Sequence, residues 1–127
     1  MSNDFKRFIT HLKLEALALA VLMIVLTYYS SAPLWILPAT FLFFDVGMIG
    51  YIKDTRLGAI TYNLSHDLTL PTLLIAAGLV FNYEAVSIVG FCWAFHIAVD
   101  RTFGFGLKHD HSFTATHLGD IGKKKQK

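Results

Sequence analysis

His96 and Asp100 stand four residues apart in an otherwise apolar segment. On a helix that spacing sets an imidazole and a carboxylate one above the other on a single face. The same interval joins His11 to Glu15, Tyr62 to His66 and Asn63 to Asp67, while Asp45 stands alone inside its own apolar run. Imidazoles mixed with carboxylates are the ligand set preferred by zinc, iron or manganese. The candidate ligands of a divalent metal ion are therefore Asp45, His66, His96 and Asp100, closed from below by His117. Asp100 fits equally as a ligand or as the acceptor that fixes the His96 tautomer. An ion held there would activate water against a lipid-like or amphipathic substrate. Under that chemistry Glu15, Asp100 and Lys108 are the candidate catalytic groups, and Tyr62, Asn63, Arg101 and Lys108 the candidate substrate contacts. Arg101 as a planar fork and Lys108 as a point charge suit an anionic headgroup.

The elements that must position these groups are unusually greasy. Of 127 residues, 54% are apolar and 16% charged, against roughly 25% charged for an ordinary soluble domain. That length allows one domain, and the balance indicates a membrane protein. The single cysteine, Cys92, lies in an apolar run and reads as a small core residue, so neither a disulfide framework nor a thiolate cluster is available. The first apolar run exceeds the roughly 7–15 residues of a signal-peptide core and lacks a cleavage site, so the N-terminus is expected to be retained.

The expected fold is an all-α integral membrane four-helix bundle, with spans at about 12–30, 34–52, 57–81 and 85–103 and a cytoplasmic tail over 104–127. Tyr28, Tyr29, Trp35 and Tyr51 fall at the interfaces, where amphipathic rings prefer to sit. The third span is expected to kink or break near Pro71, since proline removes a backbone donor. Its polar half, Leu57 to Thr69, must face protein or a wet cavity, unless Leu57 to Asp67 is an interfacial helix. Gly104 and Gly106 let the chain turn after the last helix. The Lys123–Lys127 run reads as a solvated end, and His109, Asp110 and His111 as a solvated loop.

All 11 Lys and Arg residues lie in the N-terminal segment, the Lys53–Arg56 turn, or from Arg101 onward. The two other turns hold none, so both termini are expected on the cytoplasmic side of the cell membrane. At that orientation Glu15, Asp45, His66, Asp67, His96 and Asp100 share one layer in the cytoplasmic half. An acidic residue at a helix centre costs about 2.5–3.5 kcal/mol, while each large aliphatic residue returns about 0.3–0.6. Several carboxylates should therefore face one another rather than lipid.

Three function classes follow. A metal-dependent membrane enzyme stands first. A proton- or ion-coupled transporter stands second, because acidic and histidine chains beside a broken helix relay ions. Four helices leave little room for a pathway, so a homo-oligomer would supply the missing wall. An accessory subunit whose polar layer is hydrogen-bonded packing stands third. The bilayer is the expected surrounding and no nucleic-acid partner is expected. Paired-histidine desaturase boxes are absent. The HxxxD ending of lipid phosphatases matches His96 and Asp100, but Gly90 stands where that pattern wants arginine.

Several short motifs recur in one order: Asp45-x-x-Met48-x-Gly50-Tyr51, Gly58-Ala59 with Tyr62-Asn63-x-x-His66, His96-x-x-x-Asp100-Arg101, Gly104-x-Gly106-Leu107-Lys108, Phe113, and Thr116-His117-Leu118-Gly119. This series resembles the bacterial domain-of-unknown-function 4260 family across nearly the whole chain. The resemblance implies a small multi-pass membrane protein whose polar residues are the family's motif positions, and it implies no activity. It raises His117, Lys108 and Asn63 as site residues and lowers His11, His109 and His111. Phe44 replaces a proline of the family pattern and His109 a tyrosine, and neither is a proposed ligand.

Overall fold

Helix α5 (Glu84–Phe103) is the element against which the first and fourth α-helices pack. Its inward face carries Phe91, Cys92, Ala94, Ile97 and Ala98 together with His96. The computed structural model describes residues 2–121, so the lysine-rich end read as solvated lies outside the described residues. Gly104, at φ 94°, closes α5 in the left-handed conformation that glycine adopts without strain. The chain therefore turns away where the sequence expects it to.

Helix α1 (Asn3–Tyr28) begins well before the expected first span. Ser2 caps it, its hydroxyl accepting from the Phe5 amide at 3.2 Å, and Asp4 complements the positive end of the helix dipole. The polar leader is thus an extension of the same helix. Met23 of α1 meets Phe91 and Ala94 of α5 in one apolar cluster, while Leu37, Phe44 and Cys92 form a second. Cys92 is a buried core residue, as expected.

The expected second span is helical but not one α-helix. A single turn, α2 (Ile36–Ala39), leads into a twelve-residue 3-10 helix, Phe41–Ile52. Three residues per turn set Phe41, Phe44, Gly47 and Gly50 in one row. A Cβ on Gly47 would lie 2.7 Å from the Thr61 carbonyl, and one on Gly50 would lie 2.8 Å from the Leu57 carbonyl. Glycine alone permits this approach to α3 (Thr55–His66), which is capped by the Asp54 carboxylate on the Leu57 amide at 2.7 Å.

The third expected span does break, but at Asp67 rather than Pro71. Asp67 is extended, at φ −89° and ψ 158°, and α4 (Thr69–Val80) restarts two residues later. Pro71 then lies in the first turn of α4, where its missing N–H has no helical partner to lose. The Asp67 carboxylate accepts the Thr69 amide at 2.7 Å and fixes the corner.

The all-α expectation is corrected in the tail. Strands β1 (Lys108–His109), β2 (Ser112–Thr116) and β3 (Gly119–Asp120) form an antiparallel sheet in the order β1-β2-β3. His109 pairs with Ser112 across the tight turn at Asp110 and His111. Strands of two residues carry too little pattern to be read from sequence. The sheet is docked by Asn63, whose side chain donates to the Lys108 carbonyl at 2.8 Å and accepts the Lys108 amide at 2.6 Å.

Candidate metal centre

Four side chains from three elements meet at one point. Asp45 comes from the 3-10 helix, His66 from the last turn of α3, and His96 and Asp100 from successive turns of α5. His66 Nε2 lies 3.0 Å from His96 Nε2. Each imidazole Nε2 then lies 3.4–3.5 Å from Asp45 Oδ1 and from Asp100 Oδ2. A tetrahedral ion with bonds of about 2.0–2.1 Å separates its ligand atoms by roughly 3.3 Å. The five measured edges bracket that value.

The donor set argues the same way. His66 Nδ1 sits 3.0 Å from the Tyr62 carbonyl, which only accepts, and 2.8 Å from Ser65 Oγ. The proton of neutral His66 therefore resides on Nδ1, and its bare Nε2 points inward. Two carboxylates and a second imidazole face that lone pair. Either a cation or a proton on His96 Nε2 must stand between such groups, and the residues present fit a divalent metal ion. His66 is 3% exposed and His96 fully buried, whereas Asp45 is 32% exposed. The centre is thus closed on the histidine side and open along Asp45.

Aromatic rings hold the imidazoles. Tyr62 stacks on His66 with centroids 3.8 Å apart, and Phe41 and Phe44 lie 4.4 and 5.8 Å from His96. Trp93 stacks on Phe44 and donates its indole N–H to the Ser65 carbonyl at 2.6 Å, joining α5 to α3 beside the centre. Sequence reasoning missed Ser65, Phe41 and Trp93. The adjacency of Ser65 to His66 was its one signal.

The remaining expected residues lie elsewhere. Glu15 lines a separate cavity with Arg101 and His117. His117 is not a member of the four-residue cluster, because its Nδ1 accepts the Leu107 amide at 2.8 Å and holds the sheet to the chain after α5. Asn63 is committed to the Lys108 backbone, as described above. Arg101 donates to the His66 carbonyl at 3.3 Å, so it braces the ligand helix from outside. His11, His109 and His111 are exposed, with His109 and His111 stacked at 5.5 Å.

Lys108 is buried beneath the tail sheet, its Nζ 4.0 Å from the Phe113 centroid and 4.9 Å from that of Tyr62. Burial pushes its ammonium below the ordinary lysine range, and the Asp100 carboxylate pulls part of the way back. Between its folded and unfolded pKa values, the unfolded chain holds a proton that the folded chain lacks. Stability therefore rises with pH across that alkaline window. Lys108→Met is expected to flatten this rise in the thermal midpoint, and an undiminished rise in the variant would exclude Lys108 as its source.

A family model described as Domain of unknown function (DUF4260) matches residues 9–121 of the chain. No curated protein and no solved structure matches it.

Proposed function

The chain belongs to this family of unknown function, and from that premise, which carries no reaction, we propose that Asp45, His66, His96 and Asp100 hold one divalent metal ion in a small multi-pass membrane protein. The observation that carries the reading is the convergence of the four ligand atoms, every one within 4.8 Å of the others. When bound, the ion supplies Lewis acidity to an ester or phosphoryl oxygen, or to a water. The chain's own residues set the conditions. Asp45, the most exposed of the four, is the ligand that can swing aside and admit substrate, while the Tyr62 carbonyl keeps His66 in the binding tautomer. The best reading is a metal-dependent enzyme acting on a lipid-like or amphipathic substrate.

Membrane placement is supported by α1 and α5, which are long and apolar enough to cross a bilayer. The 3-10 helix rises about 2 Å per residue, so α2 and the 3-10 helix together reach about 30 Å, the thickness of the hydrocarbon core. Seventeen residues wound as an α-helix would fall short. Outward positions on these elements are apolar: Leu42, Ile49 and Ile52 are 79%, 63% and 85% exposed. A water-soluble monomer rarely shows so much apolar surface. The distribution of lysine and arginine supports a cytoplasmic side for both ends of the bundle.

One observation favours a second reading. The 3.0 Å between the two Nε2 atoms is also a hydrogen-bond length, so a proton held in place of the ion would make the cluster part of a proton-coupled transporter. Elemental analysis of untagged protein purified in mild detergent separates the two. About one zinc, iron or manganese per chain is expected, and metal-free protein that takes up none on titration would sink the metalloenzyme.

A further inference from the structure

A second polar site lies on the other flank of α5. Arg101 follows Asp100 by one residue, so its side chain leaves the helix about 100° away from the metal ligand. It enters a cavity of about 240 Å³ between α1, α5 and the tail. Of its donors, one terminal nitrogen binds the His66 carbonyl, but the buried Nε has no partner. Among the described residues no carboxylate oxygen lies within 4.0 Å of the guanidinium. The Asp67 carboxylate acts on the guanidinium only from beyond that distance, so the charge has no close ion pair and an anion in the cavity would supply one.

The walls specify the rest of the ligand. His117 faces the same cavity, and because its Nδ1 accepts the Leu107 amide, Nε2 of the neutral ring carries the proton. Burial first, and the Arg101 charge second, hold this imidazole below its ordinary range. It is therefore a neutral donor beside the charged arginine. The Glu15 carboxylate of α1, an acceptor only, lines the same cavity. Leu12, Leu19 and Leu68 complete the wall with hydrocarbon. Two donors, a carboxylate and an apolar margin in one cavity match a ligand that carries a negative group, a positive group and a chain.

We propose that this cavity binds a zwitterionic amphiphile of the phosphoethanolamine type, its phosphate on Arg101 and His117, its ammonium on Glu15 and its chain along Leu12, Leu19 and Leu68. The inference rests on the membrane placement above and not on the metal. The ligand chemistry is shared by an ethanolamine phospholipid and by soluble phosphoethanolamine. Native mass spectrometry of the full chain, offered equimolar phosphatidylethanolamine and phosphatidylglycerol in detergent, tests it.

About tenfold preferential retention of the ethanolamine lipid is expected, the ratio set by one charge-assisted hydrogen bond of about 1.4 kcal/mol. Glu15→Gln should bring the preference close to unity while the glycerol lipid is still retained. Arg101→Gln should reduce retention of both, and Arg101→Lys should restore part of the retention with the preference intact. Displacement of lipid by equimolar phosphoethanolamine would support the site and assign it to the soluble source. Lipid retained without headgroup preference, or a preference unmoved by Glu15→Gln and Arg101→Gln, would overturn the cavity alone. A chain that stays monomeric without detergent and retains no lipid would overturn the membrane placement instead.

Discussion

His96→Ala is expected to abolish stoichiometric metal binding, with affinity falling by more than the 10–100-fold that loss of a mere hydrogen-bonding partner causes. His96 is fully buried, and its Nε2 lies within 3.5 Å of all three other ligand atoms. No neighbouring donor replaces it, since Phe41, Phe44 and Ile97 surround the ring or lie next to it in sequence. His66→Ala should match it. Asp100→Asn and Asp45→Asn should fall below them in effect, Asp45→Asn the least, because that carboxylate is the most exposed and water can take its place. Ser65→Ala removes only a partner of the His66 Nδ1 and should weaken binding modestly, since the Tyr62 carbonyl remains.

Burial makes the fold of the variants part of this test. Removing a buried imidazole leaves a void as well as a missing ligand. Phe44→Leu perturbs the same packing without touching a donor, so it should lower the thermal midpoint and keep the metal. The decisive pattern is metal lost in His96→Ala and His66→Ala but kept in Phe44→Leu, read by elemental analysis beside thermal unfolding. Equal metal in the wild type and both histidine variants would remove the centre altogether.

The cluster was legible because helical spacing and membrane depth are both written in one dimension. His96 and Asp100 lie one turn apart, and Asp45 and His66 fall in the same layer of the four expected spans. Glu15 shares that depth too and His117 was expected just below it, yet both line a different cavity. Depth fixes height along the bundle but not azimuth, and azimuth depends on how α1 rotates against α5. The corner at Asp67 was displaced for a related reason: proline disfavours a helix interior, but the first turn of α4 has no interior bond for it to break. The sheet escaped notice because its docking is done by the Asn63 amide, forty-five residues away in sequence.

Gly50→Ala is expected to destabilise the fold by about 1–3 kcal/mol, the usual cost of overpacking a close contact, and to weaken metal binding although it touches no ligand. A run of twelve residues in 3-10 conformation is far longer than the usual three or four. Its three-residue period puts two aromatics and two glycines on one edge. Phe41 and Phe44 pack on His96, and Gly47 and Gly50 lie against α3, where Thr61 Oγ1 donates to the Gly47 carbonyl at 2.6 Å. The added methyl would meet Thr61 Oγ1 and approach the Leu57 carbonyl to 2.8 Å. A backbone oxygen cannot rotate away, so the two elements must part. Asp45 rides on one and His66 on the other, only 3.4 Å apart, and a separation of a few tenths of an ångström moves one ligand out of the set. Val46→Ala, at a 62% exposed position on the same helix, should change the stability by no more than about 0.5 kcal/mol and leave the metal in place. Gly50→Ala protein with wild-type stability and metal content would show that this close approach does not position the centre. The opposite result would make the glycine edge, rather than any ligand, the determinant of where Asp45 stands.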